Sequence, residues 1–159
     1  MGMEVLIKLY AKNQKEANHA SKLAYEHMDT LEFIFSDYKA DSEIRQLNSS
    51  LIDKPQKVSP DLFKLLKFAQ NIHTKSKGAF DPTIRPLSLL WRQSRFLKRL
   101  PKPSHIEKAL SRVGFQFIKL DDANQTLTFS KPSMSLDCGA FAKGYIIQSA
   151  LEVLKKQSI

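Results

Sequence analysis

The sequence predicts an α+β fold, a mixed sheet with helices packed against it. Three observations carry the prediction. Glu4 to Tyr10, Glu-Val-Leu-Ile-Lys-Leu-Tyr, is a short apolar run that reads as a strand. Longer segments opening at Asn13, at Ser59-Pro60 and after Asp137 repeat apolar residues near helical spacing. Late in the chain, two short apolar runs flank Asp121-Asp-Ala-Asn124, the pattern of a hairpin.

The elements follow in order. Asn13 caps a long helix, with Glu16 as its capping-box partner. That helix runs to about Phe33 and buries Ala17, Ala20, Leu23, Ala24, Met28 and Leu31 on one face, with Met28 and Phe33 read as core. Asp41 or Ser42 caps a short helix through Leu47, and Asn48 ends it. Ser59 at the N-cap and Pro60 at the first helical position open the next helix. It buries Leu62, Leu65, Leu66, Ala69 and Ile72 and stops at Gly78, with His73 solvated near its end. Leu87 to Phe96 reads as a further helix, with Trp91 packed on the core. Ser104-His-Ile-Glu107 is a capping box opening a helix that ends at Gly114. Phe115 to Leu120 and Thr126 to Phe129 are the hairpin strands, and Met134 to Leu136 is one more strand. The last helix carries Phe141, Ile146, Ile147, Ala150, Leu151 and Leu154, with Lys155 and Lys156 in its final turn. No repeat, low-complexity stretch or domain boundary interrupts residues 1–159, so one domain is expected.

Composition narrows the function classes. A hydrophobic fraction of 42% and a charged fraction of 26% fit a globular chain with a real core. No apolar run is long enough to span a bilayer, and the opening residues do not form a signal peptide. The default compartment is therefore cytoplasmic. A single cysteine, Cys138, rules out an internal disulfide and any CxxC metal site, and nothing in the sequence pairs it with a base. The net charge of +9 is spread over scattered lysines, with denser runs at Arg92–Lys102 and Lys155-Lys156. No recognition motif accompanies it and the aromatics do not interleave with it, so no nucleic-acid partner is expected.

Chemistry concentrates in three stretches. Met134-Ser-Leu-Asp137-Cys-Gly-Ala140-Phe-Ala-Lys143-Gly-Tyr145 reads as strand, turn and helix. Such a turn offers free backbone N–H groups at a positive helix end, which suits a phosphate or a metal–phosphate pair. Asp137 is placed to hold a ribose, an adenine edge or a metal, and Lys143 to meet a phosphate. A packed strand–helix corner is the alternative. In Gly78-Ala79-Phe80-Asp81-Pro82-Thr83-Ile84-Arg85-Pro86-Leu87, Pro82 forces Asp81 into extended backbone. This irregular loop can present backbone groups and the Phe80 ring to a planar ligand. The alternative is an ordinary helix-stop loop. Phe35-Ser-Asp-Tyr38-Lys39 is loop-like, and Tyr38 is either a stacking contact or an exposed loop tyrosine.

Together these stretches resemble the ApbE family, the FAD:protein FMN transferases. The family pattern has Met-Gly-Thr near its start, then Phe-Ser-x-Tyr with Ser-Glu and Leu-Asn following, then Gly-x-Phe-Asp-Pro-Thr, and last Asp-x-Gly with Ala-Lys-Gly-Tyr. The chain has Met1-Gly2-Met3, Phe35-Ser-Asp-Tyr38, Ser42-Glu43, Leu47-Asn48, Gly78-Ala-Phe-Asp81-Pro-Thr83 and Asp137-Cys-Gly-Ala140-Phe-Ala-Lys143-Gly-Tyr145 in that order. Met3 replaces the usual Thr. The larger departure is length, because members of the family continue for about as much again. The resemblance covers only the N-terminal half.

The resemblance implies half of a T-fold-like flavin transferase. It implies FAD as substrate and Mg²⁺ as cofactor. A Thr or Ser hydroxyl of an acceptor flavoprotein attacks the phosphorus of the FMN half, and AMP leaves. Met1, Tyr38, Ala79, Phe80, Asp81, Asp137 and Lys143 are then expected at FAD, and the backbone carbonyl of Ala140 at Mg²⁺. Thr83 is expected to brace the Asp-Pro turn. The side-chain ligands of Mg²⁺ belong to the family's other half, so a complementing C-terminal chain or self-association is expected if the chain is an active enzyme. A non-catalytic FAD-binding or remnant module is the alternative. Family members are often periplasmic or lipid-anchored, which sets the cytoplasmic default against a targeting segment outside this sequence.

Overall fold

The computed structural model describes residues 4–157. Six helices occur among them: α1 (Gln14–Phe35), α2 (Glu43–Leu47), α3 (Pro60–Lys75), α4 (Arg85–Phe96), α5 (Pro103–Leu110) and α6 (Ala142–Lys156). Three short strands, β1 (Gln56–Lys57), β2 (Ile118–Asp121) and β3 (Thr126–Phe129), form one sheet in the order β1-β3-β2. Both ladders are antiparallel, with Leu120 opposite Leu127 and Gln56 opposite the same residue on the other side. The sequence reading expected a mixed sheet and missed β1, whose residues carry no apolar alternation.

The helices form where caps and apolar stripes agree. The Asn13 side chain accepts from the Glu16 N–H at 3.0 Å, and Glu16 accepts back from Asn13 Nδ2 at 2.9 Å. Ala20, Ala24, Met28, Leu31 and Phe35 are buried along one stripe of α1. Phe33 lies off that stripe and is 44% exposed, so it is not the core residue expected. Ser42, not Asp41, caps α2. Ser59 caps α3, which ends as the chain turns left-handed at Lys77 (φ 52) and Gly78 (φ 85). α5 starts before the expected Ser104 box: Lys102 is its N-cap, and Pro103 takes the early position for which its fixed φ suits it.

Leu31, Ile44, Leu62, Leu65, Leu66, Leu127, Leu136 and Ile146 lie fully buried in one core. α6 packs along α1 on one side of it. Two expected strands are extended but unpaired among the described residues. Glu4–Tyr10 alternates as a strand should, with Val5 and Ile7 packed on the core and Leu6 and Tyr10 facing out. Met134–Leu136 is held by a side chain instead of a ladder: Asn48 Nδ2 donates to the Leu136 carbonyl at 2.9 Å, and the Leu136 N–H donates to Asn48 Oδ1 at 2.7 Å. Asn48 thus stands in for a strand neighbour. Residues 115–117 form a 3-10 turn, not the start of the hairpin strand.

Candidate functional site

Three connections meet at one face of α4. Pro86 sits in its first turn, and a 3-10 turn, Pro82–Ile84, leads directly into it. Arg85, Ser88 and Arg92 fall at positions i, i+3 and i+7 and share that face. Arg85 Nε donates to Asp37 Oδ1 at 2.7 Å, and Arg92 Nη1 to Asp37 Oδ2 at 2.6 Å. Ser88 Oγ donates to Asp137 Oδ2 at 2.7 Å, and Arg92 Nη2 reaches the same oxygen at 3.3 Å. Arg92 therefore bridges two carboxylates from distant parts of the chain. Its guanidinium also lies 5.4 Å from the Tyr38 ring centroid, a cation–π contact. Burial alone would lower its pKa, but the hydrogen bond to Asp37 and the charges of Asp137 and Asp37 outweigh that and raise it. The group stays a fixed cation.

The Asp137 turn is shaped by its own side chain. Oδ1 accepts from the Gly139 N–H at 2.9 Å, while the Asp137 N–H donates to the Pro82 carbonyl at 2.8 Å. The two motif loops are thereby tied to each other. Cys138 points into the core and is 1% exposed; burial pushes its thiol pKa up, and Asp137 and Asp37 add to the shift. It cannot serve as a thiolate at neutral pH.

Asp81 is committed internally. Oδ1 accepts from both the N–H and the hydroxyl of Thr83, at 2.8 and 2.6 Å, and Oδ2 accepts from the Phe115 N–H at 3.1 Å. Thr83 Oγ1 accepts in turn from the Gly114 N–H at 2.7 Å, so Thr83 braces the turn. Gly114 has φ +147, a conformation that L side chains rarely adopt, so glycine suits this contact. His73 is packed, not solvated as the sequence suggested. Its ring stacks on Phe115 at 5.2 Å, and Nδ1–H donates to the Phe80 carbonyl at 2.8 Å. A carbonyl only accepts, which fixes the proton on Nδ1. Trp91 is 44% exposed, against the expectation that it packs on the core.

Two adjoining cavities result. One, of about 200 Å³, is lined by Asp37, Tyr38, Arg92, Asp137 and Lys143 over an apolar floor of Phe35 and Ile146. The other, of about 560 Å³, is lined by Ala79, Phe80, Asp81, Arg92, Asp137 and Ala140. Arg92, Asp137 and Gly139 face both. Every site residue named from the sequence lines one cavity or the other, except Met1, which lies outside the described residues. Asp37, Ser88 and Arg92 were missed. The spacing of Arg85, Ser88 and Arg92 on a helix was the available signal, but Arg92 reads as surface charge until Asp37 is seen opposite it.

The sequence profile of the ApbE family matches residues 1–159. The chain belongs to the ApbE family. It is 29% identical over its whole length to the FAD:protein FMN transferase of Klebsiella pneumoniae, of which it covers 49%. It is 33% identical over 135 residues to that of Chlamydia muridarum, covering 84% of this chain and 42% of the relative. Among solved structures, the ApbE protein of Thermotoga maritima matches with a TM-score of 0.81 and 26% identity, over 92% of this chain and 48% of that one. A variant of the flavin transferase ApbE of Vibrio cholerae matches with a TM-score of 0.85 at 20% identity, over 95% and 52%, a likeness of fold. The chain spans about half the length of the relatives it matches.

Among the described residues no group of 3 or more His, Cys, Asp or Glu side chains could hold a metal ion. Asp37 and Asp137 are both committed to Arg92.

Proposed function

We propose that the chain forms the N-terminal part of the flavin site of an FAD:protein FMN transferase. The observation that supports this best is the pair of cavities sharing Arg92, Asp137 and Gly139. A dinucleotide has two bulky ends and a central pyrophosphate. A two-chambered site with the Arg92 guanidinium at its junction suits that shape. Arg92 and Lys143 supply positive charge towards phosphate oxygens. Phe80 and Tyr38 offer aromatic surface, and Asp137, oriented by Ser88 and Gly139, offers an acceptor.

In the transfer, a Thr or Ser hydroxyl oxygen of the acceptor flavoprotein forms a bond to the FMN phosphorus. The bond from that phosphorus to the bridging oxygen breaks, AMP departs with the bonding electrons, and the hydroxyl proton is lost. Such a reaction depends on charge neutralisation and in-line placement more than on covalent participation by the protein. The residues here bind and orient; buried Cys138 is no base. Magnesium dependence belongs to this reading, with Ala140 as one carbonyl ligand and the side-chain ligands supplied by a complementing chain or a further segment.

A second reading is a module that binds FAD without transferring FMN. Titration with FAD, with and without Mg²⁺, followed by flavin fluorescence, tests both. Saturable binding weakened at least tenfold in Asp137→Ala, about 1.4 kcal/mol, is expected. Addition of an acceptor protein then separates the readings: a covalent FMN mass supports transfer, and binding without that mass supports the module. No binding by the wild-type chain rejects the module and makes the complementing segment indispensable to the flavin site.

A further inference from the structure

We infer that the tip of the α4–α5 hairpin docks on an anionic lipid surface. The last turn of α4 and the connection to α5 carry Phe96 at 87% exposure and Leu100 at 82%, nearly as open as in an unfolded chain. Leu97 and Trp91 are each 44% exposed beside them. Isolated exposed apolar residues are ordinary, but here they cluster at a projecting turn. Trp91, Arg95, Lys98, Arg99 and Leu100 line one shallow hollow, which places the apolar and cationic groups together.

The tip is built, not frayed. The Leu97 N–H donates to the Gln93 carbonyl at 2.9 Å, and the Arg99 N–H to the Ser94 carbonyl at 3.1 Å. Lys98, at φ 49, reverses the chain between them. Pro101 and Pro103 stiffen the return.

Charge selects the occupant. No acidic side chain occurs between Asp81 and Glu107. Arg85 and Arg92 within that span are paired at the flavin site. Arg95, Lys98, Arg99 and Lys102 are exposed, and none makes a salt bridge with a described acidic residue. Apolar side chains ringed by long cations are the chemistry of the bilayer interface. The rings and aliphatic chains enter the headgroup boundary while lysine and arginine reach anionic phosphates. Nucleic acid would gain nothing from Leu97 and Leu100. No helix among the described residues can cross a membrane, so the contact is peripheral.

Vesicle co-sedimentation of the full chain tests this, with phosphatidylcholine alone against phosphatidylcholine mixed with phosphatidylglycerol. Trp91, the only tryptophan, reports insertion by a blue shift of its emission. We expect binding to the anionic vesicles, weakened by salt. A Phe96→Ser/Leu100→Ser variant and an Arg95→Gln/Lys98→Gln/Arg99→Gln/Lys102→Gln variant should each bind roughly tenfold or more weakly. These positions are exposed, and circular dichroism checks that the variants fold. Absent binding, or binding unchanged in both variants, overturns the proposal. Self-association lost in Phe96→Ser/Leu100→Ser, with no vesicle binding, overturns it in favour of a second copy. Flavin is not needed in any arm, so failure here is distinct from failure of the flavin reading.

Discussion

Asp81 and Asp137 begin alike and end differently. Each closes a tight turn through Oδ1, which accepts the N–H two residues on, from Thr83 or Gly139. In Asp81 the other oxygen accepts from the buried Phe115 N–H. In Asp137 it faces two cavities and takes Ser88 and Arg92, side chains that can shift when a ligand arrives. Both line the larger cavity, but Asp81 spends its oxygens on Thr83 and on backbone N–H groups, whereas Asp137 keeps one oxygen on side chains. Local sequence does not foretell the difference, because each follows a large apolar residue, Phe80 or Leu136, and opens a turn. The difference lies in what packs against the second oxygen.

The largest expected effect is at Asp81. Asp81→Ala leaves the Thr83 hydroxyl and two N–H groups without their acceptor in a part-buried turn. A loss of about 3 kcal/mol is expected, since each unsatisfied buried group costs about 1–3 kcal/mol. Urea denaturation measures it. A loss under about 1 kcal/mol would show that these bonds do not hold the turn and would erase the contrast.

Asn48→Ala comes next, because Asn48 holds the segment that delivers Asp137. It removes two hydrogen bonds to the Leu136 backbone, and that backbone has no strand beside it among the described residues. About 2 kcal/mol should be lost, together with flavin affinity if Asp137 depends on this support. Stability lost with affinity intact would mean that the Pro82 carbonyl, Gly139, Ser88 and Arg92 position Asp137 without Asn48.

Asn48 also shows how far the sequence could be read. Helices with matched caps and stripes, such as α1 and α3, were legible because cap and periodicity are local. Their ends were less so: α5 begins at Pro103 instead of Ser104, since two start signals compete within three residues. The motif residues Tyr38, Ala79, Phe80, Asp81, Asp137, Ala140 and Lys143 were legible as a set and do converge on two cavities. Asp37 and Arg92 were not, because an ion pair between residues so far apart leaves no trace at either position alone. Asn48 reads in the sequence as a helix end and as part of the Leu47-Asn48 motif, and neither reading shows that its amide performs a strand's work at Leu136. Such long-range side-chain contacts exist only once the chain has folded.

Asp137→Ala should cost less stability than Asp81→Ala, about 1–2 kcal/mol. Its Ser88 and Arg92 partners keep other acceptors or reach solvent. The contrast therefore predicts opposite rankings: Asp81→Ala is worse for stability, and Asp137→Ala is worse for FAD binding among molecules that remain folded. Equal effects on both measurements would collapse it.

Tyr145→Phe is the smallest change and asks whether α6, which follows the Asp137 turn, is anchored from the other side. The Tyr145 hydroxyl donates to Asp61 Oδ1 of α3 at 2.8 Å, and its ring meets Phe35 edge-on at 5.5 Å. Phenylalanine keeps the ring contact and loses the hydrogen bond, so about 1 kcal/mol is expected at neutral pH. Burial, then the bond and charge of Asp61, push the phenol from 10.0 up to about 12. A folded-state pKa above the unfolded value means that the folded chain holds the proton longer. Stability from this group is therefore complete below pH 10 and is lost as pH rises towards 12. Wild type should lose more stability than Tyr145→Phe across that window, and the gap between them should narrow. Parallel loss in the two proteins would show that the Asp61 bond does not hold α6, leaving its packing along α1 as the anchor.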